Sequence, residues 1–311
     1  MVDELTPKTL ISGQLPDPLN PSTTPASLLH RIGRDGIMVI ADFSTILAMK
    51  PDHKAAVLAQ FRRVFDGQYK RELGTGSHVP PEWKGRLTIV AAVTPAIDSH
   101  QSVFQSLGER FVIVRWPRAD GVQAAVCAVT QDREAVKSEL KEAIHRLLEG
   151  LPTVEPSLPE EILRKLASLS EIAVRGRTHV QRDNNKAIVQ FPEAESPTRL
   201  AQQLAELSKG SALLDGRIIV NEHDYQIARR AAFDSMPPVR CKVLQALIAG
   251  QNLNTLAIPN STRTYALQDL KALALLEEHG RLGQQYKLSA DAVDWLEQAG
   301  IPVGGGQQQA A

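Results

Sequence analysis

Neither sign of charge is in excess in this sequence: 35 basic residues stand against 35 acidic ones in a chain of 311. A global field drawing it to nucleic acid or to an anionic membrane is thereby excluded, and any basic surface has to be local. There are only two cysteines, Cys127 and Cys241, isolated in apolar contexts and without metal spacing. They exclude a disulfide framework and read as buried free thiols. The histidines have no H-x-x-x-H or C-x-x-C companions, which excludes the common metal motifs. No apolar run approaches the roughly 20 residues of a membrane span, and no basic-then-apolar signal segment opens the chain. The expectation is a cytoplasmic protein without a membrane partner. One more absence bears on chemistry. No G-x-x-x-x-G-K-[ST] occurs anywhere, so the usual backbone cradle for nucleotide phosphates is missing.

Apolar content of 43% and charged content of 23% are ordinary for a globular chain, and this length predicts two or three domains. Residues 1–26 hold five prolines (Pro7, Pro16, Pro18, Pro21 and Pro25) and predict an irregular lead-in. Residues 27–130 alternate strand and helix signals. Residues 37–42 read as a buried strand ending in Asp42, and residues 87–94 as a second ending in Thr94. A third is expected at Phe111 to Val114. Between the first two, Val57, Phe61, Val64 and Phe65 mark one helical stripe, stopped by Asp66-Gly67. Gly74-Thr75-Gly76 and Pro80-Pro81 predict a loop. Continuous apolar strands alternating with helices predict a parallel sheet covered on both faces.

Residues 131–235 read as helical: 131–150, then Leu158 to Ile172 after a proline-rich linker, then 196–209 and 221–233. Ser196 and Pro197 suit a helix start, and Gly210 a stop. Residues 236–297 read as a winged helix-turn-helix: Val239 to Ala249, a short helix at Asn254 to Ile258, Arg263 to Glu277 with Ser261 as N-cap, and a hairpin from Gly280 to Leu288. Residues 298–311 end in a low-complexity tail. The fold expectation is therefore α/β: a partial parallel-sheet core, a helical lid and a C-terminal winged helix.

A carboxylate at the carboxyl end of a parallel strand sits where ligands bind in open α/β sheets, so Asp42 is a candidate metal-holding residue. A helix-capping role is the alternative for it. No glutamate follows Asp42, so no ready general base is present; Phe43, Ser44 and Thr45 stand there instead. An arginine's fixed fork matches phosphate oxygens, which would suit Arg110 and Arg199 to such contacts, but nothing in the residues themselves assigns them that role. Both also read as ordinary surface arginines. Thr262, Arg263, Thr264 and Gln268 occupy the start of the third helix of the winged-helix segment, where such domains meet base edges. Arg281 and Lys287 flank the wing. Arg164, Lys165, Arg175, Arg177, Arg182 and Lys186 make one basic cluster, either a backbone-tracking stripe or a solvated face.

The order of these segments resembles AAA+ ATPases of phages and mobile elements, with a layout similar to replication helicases. The resemblance rests on Ile40-Ala41-Asp42-Phe43-Ser44-Thr45-Ile46-Leu47, Val93-Thr94-Pro95-Ala96-Ile97-Asp98, Leu107-Gly108-Glu109-Arg110-Phe111, Glu195-Ser196-Pro197-Thr198-Arg199-Leu200 and Asp234-Ser235-Met236-Pro237, and covers about 27–290. It implies that Asp42 matches the Walker B aspartate, Thr94 the first sensor, Arg110 the arginine finger and Arg199 the second sensor. ATP and Mg²⁺ are the implied cofactors, DNA and a homo-oligomer the implied partners. The departure is the phosphate loop, which in that family precedes a segment resembling Leu5-Thr6-Pro7-Lys8-Thr9-Leu10. The expectation is a fragment or derivative, with little autonomous hydrolysis and an apolar sheet edge left exposed. A nucleotide-independent DNA-binding protein working through its winged helix is the alternative.

Overall fold

A computed structural model describes residues 5–6, 9–11, 27–71, 82–100, 110–117, 120–279 and 285–304. The glycine loop at 74–76, Pro80-Pro81, Leu107 to Glu109, Arg281, most of the lead-in and the tail from 305 onward lie outside these residues. The chain is mixed α/β and divides into two compact units, Met1–Phe111 and Val112–Ala311.

The first unit is built on two parallel strands, β1 (Asp35–Ile40) and β4 (Arg86–Ala91), in register from Asp35 opposite Arg86 to Ile40 opposite Ala91. Helices α1 (Leu28–Ile32), α2 (Ser44–Leu47) and α3 (Pro51–Phe65) accompany them. Pro51 opens α3 at its first turn, Asp52 and the Arg62/Arg63 pair suit the two ends of its dipole, and Gly67, at φ 83°, turns the chain after it. Val57, Leu58, Phe61 and Val64 of α3 are buried with Met38, Ile40, Phe43, Ile46 and Leu87. A small antiparallel pair, β2 (Gln68–Lys70) and β3 (Glu82–Lys84), adds Trp83 to this core, and its indole donates to the Gly33 carbonyl at 2.7 Å. Gly85 joins β3 to β4 at a close backbone crossing: a Cβ there would lie 2.0 Å from the Arg34 carbonyl oxygen.

Two expectations are corrected here. Burial in β1 alternates rather than running continuously: Met38 and Ile40 are buried, whereas Ile37 (68% exposed) and Val39 face outward, as does Val90 of β4. Among the described residues the helices pack on the Met38 and Ile40 face, so a run that reads as buried on both sides is covered on one. Phe111 to Val114 is not a strand. Its backbone is satisfied elsewhere: Ile113 N–H donates to Ser235 Oγ at 3.0 Å and Arg115 N–H to Asp234 Oδ2 at 2.9 Å. A short apolar run does not distinguish a strand from a segment packed against a helix end.

The second unit is helical with one hairpin. Helices α4 (Gly121–Thr130) and α5 (Arg133–Glu149) start on Asp120 and Asp132, whose carboxylates cap the first turns, and neither carries a buried residue. Helices α6 (Glu160–Arg177), α7 (Thr198–Leu214) and α8 (Glu222–Asp234) bury Leu166, Leu169, Ile172, Leu200, Leu204, Tyr225 and Ala228. The same core continues through α9 (Pro238–Ile248), a 3₁₀ turn (Leu253–Thr255), α10 (Asn260–Ala272), β5 (Leu276–His279), β6 (Gln285–Leu288) and α11 (Ala290–Gln298). Strands β5 and β6 pair antiparallel.

Local boundaries shift for identifiable reasons. The expected helix at Asn254 to Ile258 is only the 3₁₀ turn, and α10 begins at Asn260 after Pro259 rather than on a Ser261 cap. It ends at Ala272 because Ala274 takes a left-handed φ of 58°. That turn redirects the buried Leu275 and Leu276 into the core and into β5, where Leu276 faces Leu288.

Candidate functional sites

The end of the parallel sheet brings together two of the candidate nucleotide residues. Ala92 N–H donates to the Ile40 carbonyl at 3.0 Å and Phe43 N–H to the Ala92 carbonyl at 2.7 Å, which carries the parallel register past both strand ends. Phe43 is buried and meets Phe111 edge-on at 5.9 Å, fixing the turn from below. Asp42 is left exposed at the edge. Its Oδ1 accepts the Ser44 N–H at 2.8 Å, so it does cap the first turn of α2, and its carbonyl accepts the Thr45 hydroxyl at 2.8 Å. The Ser44 hydroxyl lies 3.3 Å from the Thr94 hydroxyl. One carboxylate and two hydroxyls therefore meet at the carboxyl edge of a parallel sheet.

These are hard oxygen donors that suit a hydrated magnesium ion held largely through water. They do not fit a triphosphate, which needs converging N–H groups or cations, and the sequence lacks the loop that supplies them. Among the described residues no group of three or more His, Cys, Asp or Glu side chains is placed to hold a metal.

The two arginines are engaged locally. Arg110 donates from Nη2 to both oxygens of Asp66, at 3.0 and 3.2 Å, and its guanidinium lies 5.5 Å from the centre of the Phe65 ring. It is tied to the end of α3 in its own chain. Asp66 carries no sequence signal for this pairing beyond its place in the helix stop. Arg199, in the first turn of α7, contacts Glu195 Oε2 at 3.3 Å, and Glu195 also accepts from Arg177 at 2.6 Å.

The start of α10 is exposed at Thr262 and Thr264. Arg263 folds back instead, donating to the Leu253 carbonyl at 2.8 Å, Asn254 Oδ1 at 2.7 Å and Asn260 Oδ1 at 2.9 Å. It staples the 3₁₀ turn to the helix. Gln268 accepts from Arg182 at 3.2 Å, and Lys287 pairs with Glu277 at 2.8 Å. Arg281 lies outside the described residues.

The basic cluster is largely neutralised. Arg164 pairs with Glu160, Lys165 with Glu161 and Glu222, Arg175 with Glu171, Arg177 with Glu195 and Arg182 with Asp269. Glu160, Glu161 and Glu171 lie four residues before their partners on the same helix, whereas Glu195, Glu222 and Asp269 come from other segments.

One buried ionic hub escapes the sequence. Asp269 of α10 accepts from Arg182 at 2.6 Å and from Arg240 of α9 at 2.9 Å. Arg240 also donates to the Thr178 carbonyl at 2.6 Å. Burial pushes the Arg240 guanidinium below its ordinary value while Asp269 works to hold it up. Burial likewise lowers His179 beside it, helped by the Arg240 charge and opposed by Asp269. The cysteines are free and half-buried; burial pushes the Cys241 thiol up to about 11, which makes it unreactive. Among the described residues no helix is long and apolar enough to cross a membrane.

Comparison with known proteins gave no matching family model and no matching curated protein.

Proposed function

We propose that this chain is a DNA-associated module of AAA+ type. In this reading its second unit meets DNA through a winged helix, and its first unit is an ATPase-like sheet without its own phosphate loop. The observation that carries the reading is the sequence of α9, 3₁₀ turn, α10 and the β5–β6 hairpin, with Thr262 and Thr264 exposed at the start of α10. In a helix-turn-helix that helix start enters the major groove; the Thr262 hydroxyl there suits either a phosphate or a base edge, while the Thr264 hydroxyl donates to the Asn260 carbonyl at 2.9 Å and offers its lone pairs. With Arg263 and Lys287 already engaged, few cations are left for phosphates. Binding should be modest and only mildly salt-dependent.

The test is fluorescence anisotropy of a labelled duplex titrated with the full chain. Binding that is lost in the Thr262→Glu/Thr264→Glu variant supports the reading. Binding indifferent to that variant removes the α10 contact from it.

The grouping of Asp42, Ser44 and Thr94 favours a second reading, in which the sheet edge serves ATP turnover once a phosphate loop comes from a partner. Arg110 and Arg199 then act only after leaving Asp66 and Glu195. Magnesium-dependent binding of labelled ATP that disappears in Asp42→Ala supports it, and no binding by the chain alone assigns the role here to DNA contact.

A further inference from the structure

A second surface of the helical unit has the chemistry of a ligand site; on α10 it takes in Tyr265, Gln268, Lys271 and Ala272, beyond Thr262 and Thr264. Residues 181–189 form a short hairpin-like loop. Val189 N–H donates to the Gln181 carbonyl at 3.2 Å, Asp183 N–H to the Ala187 carbonyl at 2.9 Å, and Lys186 turns the tip at a left-handed φ of 65°. Arg182 pins this loop to α10. It reaches Asp269 at 2.6 Å, the Tyr265 carbonyl at 3.2 Å and the Lys186 carbonyl at 2.5 Å, and its guanidinium lies 4.9 Å from the centre of the Tyr265 ring. A cleft of about 740 Å³ opens between the loop, the later half of α10 and the hairpin strands.

Its lining combines three kinds of group. Phe191, 90% exposed, stands at the loop's end, with Tyr265 and Tyr286 on the other side. The amides of Asn185, Gln190 and Gln268 supply donors and acceptors. Three basic residues, Arg182, Lys186 and Lys271, line it against one acidic residue, Glu278, which pairs with Lys271 at 2.6 Å. Arg182 is held by Asp269 and Lys271 by Glu278, so Lys186 is the cation the cleft offers. An exposed ring beside amides and that lysine is what an unpaired base with its phosphate needs: a flat face to stack on, edges to hydrogen-bond and a cation for the backbone. A purely apolar peptide groove has no use for the three amides and the cations.

We propose that this cleft binds single-stranded nucleic acid, with one unpaired base stacked on Phe191 and its phosphate near Lys186. It rests on the nucleic-acid reading of this unit, but not on the α10 start and not on nucleotide binding. A duplex contacts Thr262 and Thr264, and the single strand contacts Phe191.

The test is anisotropy of a fluorescein-labelled oligothymidylate with the full chain, alongside the duplex. Phe191→Ala should weaken the single strand by about 5- to 150-fold, the range that base–aromatic stacking supplies. It should leave the duplex unchanged, and Phe191→Trp should retain the single strand. Lys186→Glu, a change at an exposed loop tip, should weaken it as well and serves if Phe191→Ala does not fold. Single-strand affinity unmoved by both variants overturns the proposal. So does a Phe191→Ala effect confined to self-association in sedimentation, which makes the cleft a protein contact. Duplex binding without single-strand binding overturns this inference alone, whereas loss of both overturns the DNA reading with it.

Discussion

Replacing Asp269 by alanine should be among the most destabilising single changes in the helical unit. Its carboxylate accepts four hydrogen-bond-length contacts, from Arg182 Nε and Nη2 at 3.2 and 2.6 Å and from Arg240 Nε and Nη2 at 3.0 and 2.9 Å. Without it two guanidinium groups face each other. Arg240, with a side chain only 5% exposed, is left with the Gly176 and Thr178 carbonyls. Arg182, 15% exposed, has some access to water and recovers part of the loss. Removing one member of a buried ion pair costs about 3–5 kcal/mol, and the partial relief at Arg182 sets the expected value near the lower end, about 3 kcal/mol. Asp269→Asn keeps acceptor capacity and should cost less. Because the chain divides into two units, one global transition is a poor measure. Native-state hydrogen exchange at the buried core amides of α9 and α10, such as Val243, Leu244 and Leu270, reads the helical unit directly. A loss below about 1 kcal/mol would refute the view that this hub holds α6, α9 and α10 together, since that is the range of a solvated surface pair.

Other outcomes follow from the same physics. Asp224 is buried, which works to raise its pKa, but hydrogen bonds from Arg217, Ser211 and the Asn221 N–H outweigh this and hold it at about 2 against an ordinary 3.8. The unfolded chain therefore binds the proton first, and about 2 kcal/mol of stability present above pH 4 should disappear as pH falls toward 2; Asp224→Asn should flatten that acid limb in pH-dependent hydrogen exchange. Gly85→Ala drives a Cβ into the Arg34 carbonyl and should cost the first unit about 1–3 kcal/mol, seen as loss of Trp83 burial at lower urea, while an unchanged midpoint would contradict that crossing. Ala274→Gly relieves a left-handed alanine and should gain about 0.5–1 kcal/mol in the thermal unfolding of the helical unit; a loss of stability would count against the turn that ends α10.

Helices were the most legible part of the sequence. The stripe at Val57, Phe61 and Val64 falls within α3, and the helix expected at 196–209 is α7, although it starts at Thr198 after Pro197 without a Ser196 cap and runs through Gly210 to Leu214. Strand pairing was legible for β1 and β4 because both are short apolar runs bounded by turns. What burial each face receives was not, since it depends on which helices cover the sheet, and Ile37 and Val39 look no different from Met38 and Ile40 in a list of apolar residues. The neighbourhood of Asp42 and Thr94 was readable because both follow closely on the carboxyl ends of adjacent strands, which stop at Ile40 and Ala91. The partners of Arg110 and Arg182 were not. Asp66 lies 44 residues from Arg110, and Asp269 lies 87 from Arg182, and no local pattern links such pairs. The cleft beside Phe191 escaped for the same reason: its loop and its helix meet only in the folded unit.

The most direct test of the central claim is hydrogen–deuterium exchange of the full chain with and without a DNA duplex. New protection is expected at the start of α10, around Thr262 and Thr264, and along β6. A chain whose exchange there is unchanged at saturating duplex, or whose protection falls only on other elements, would contradict it.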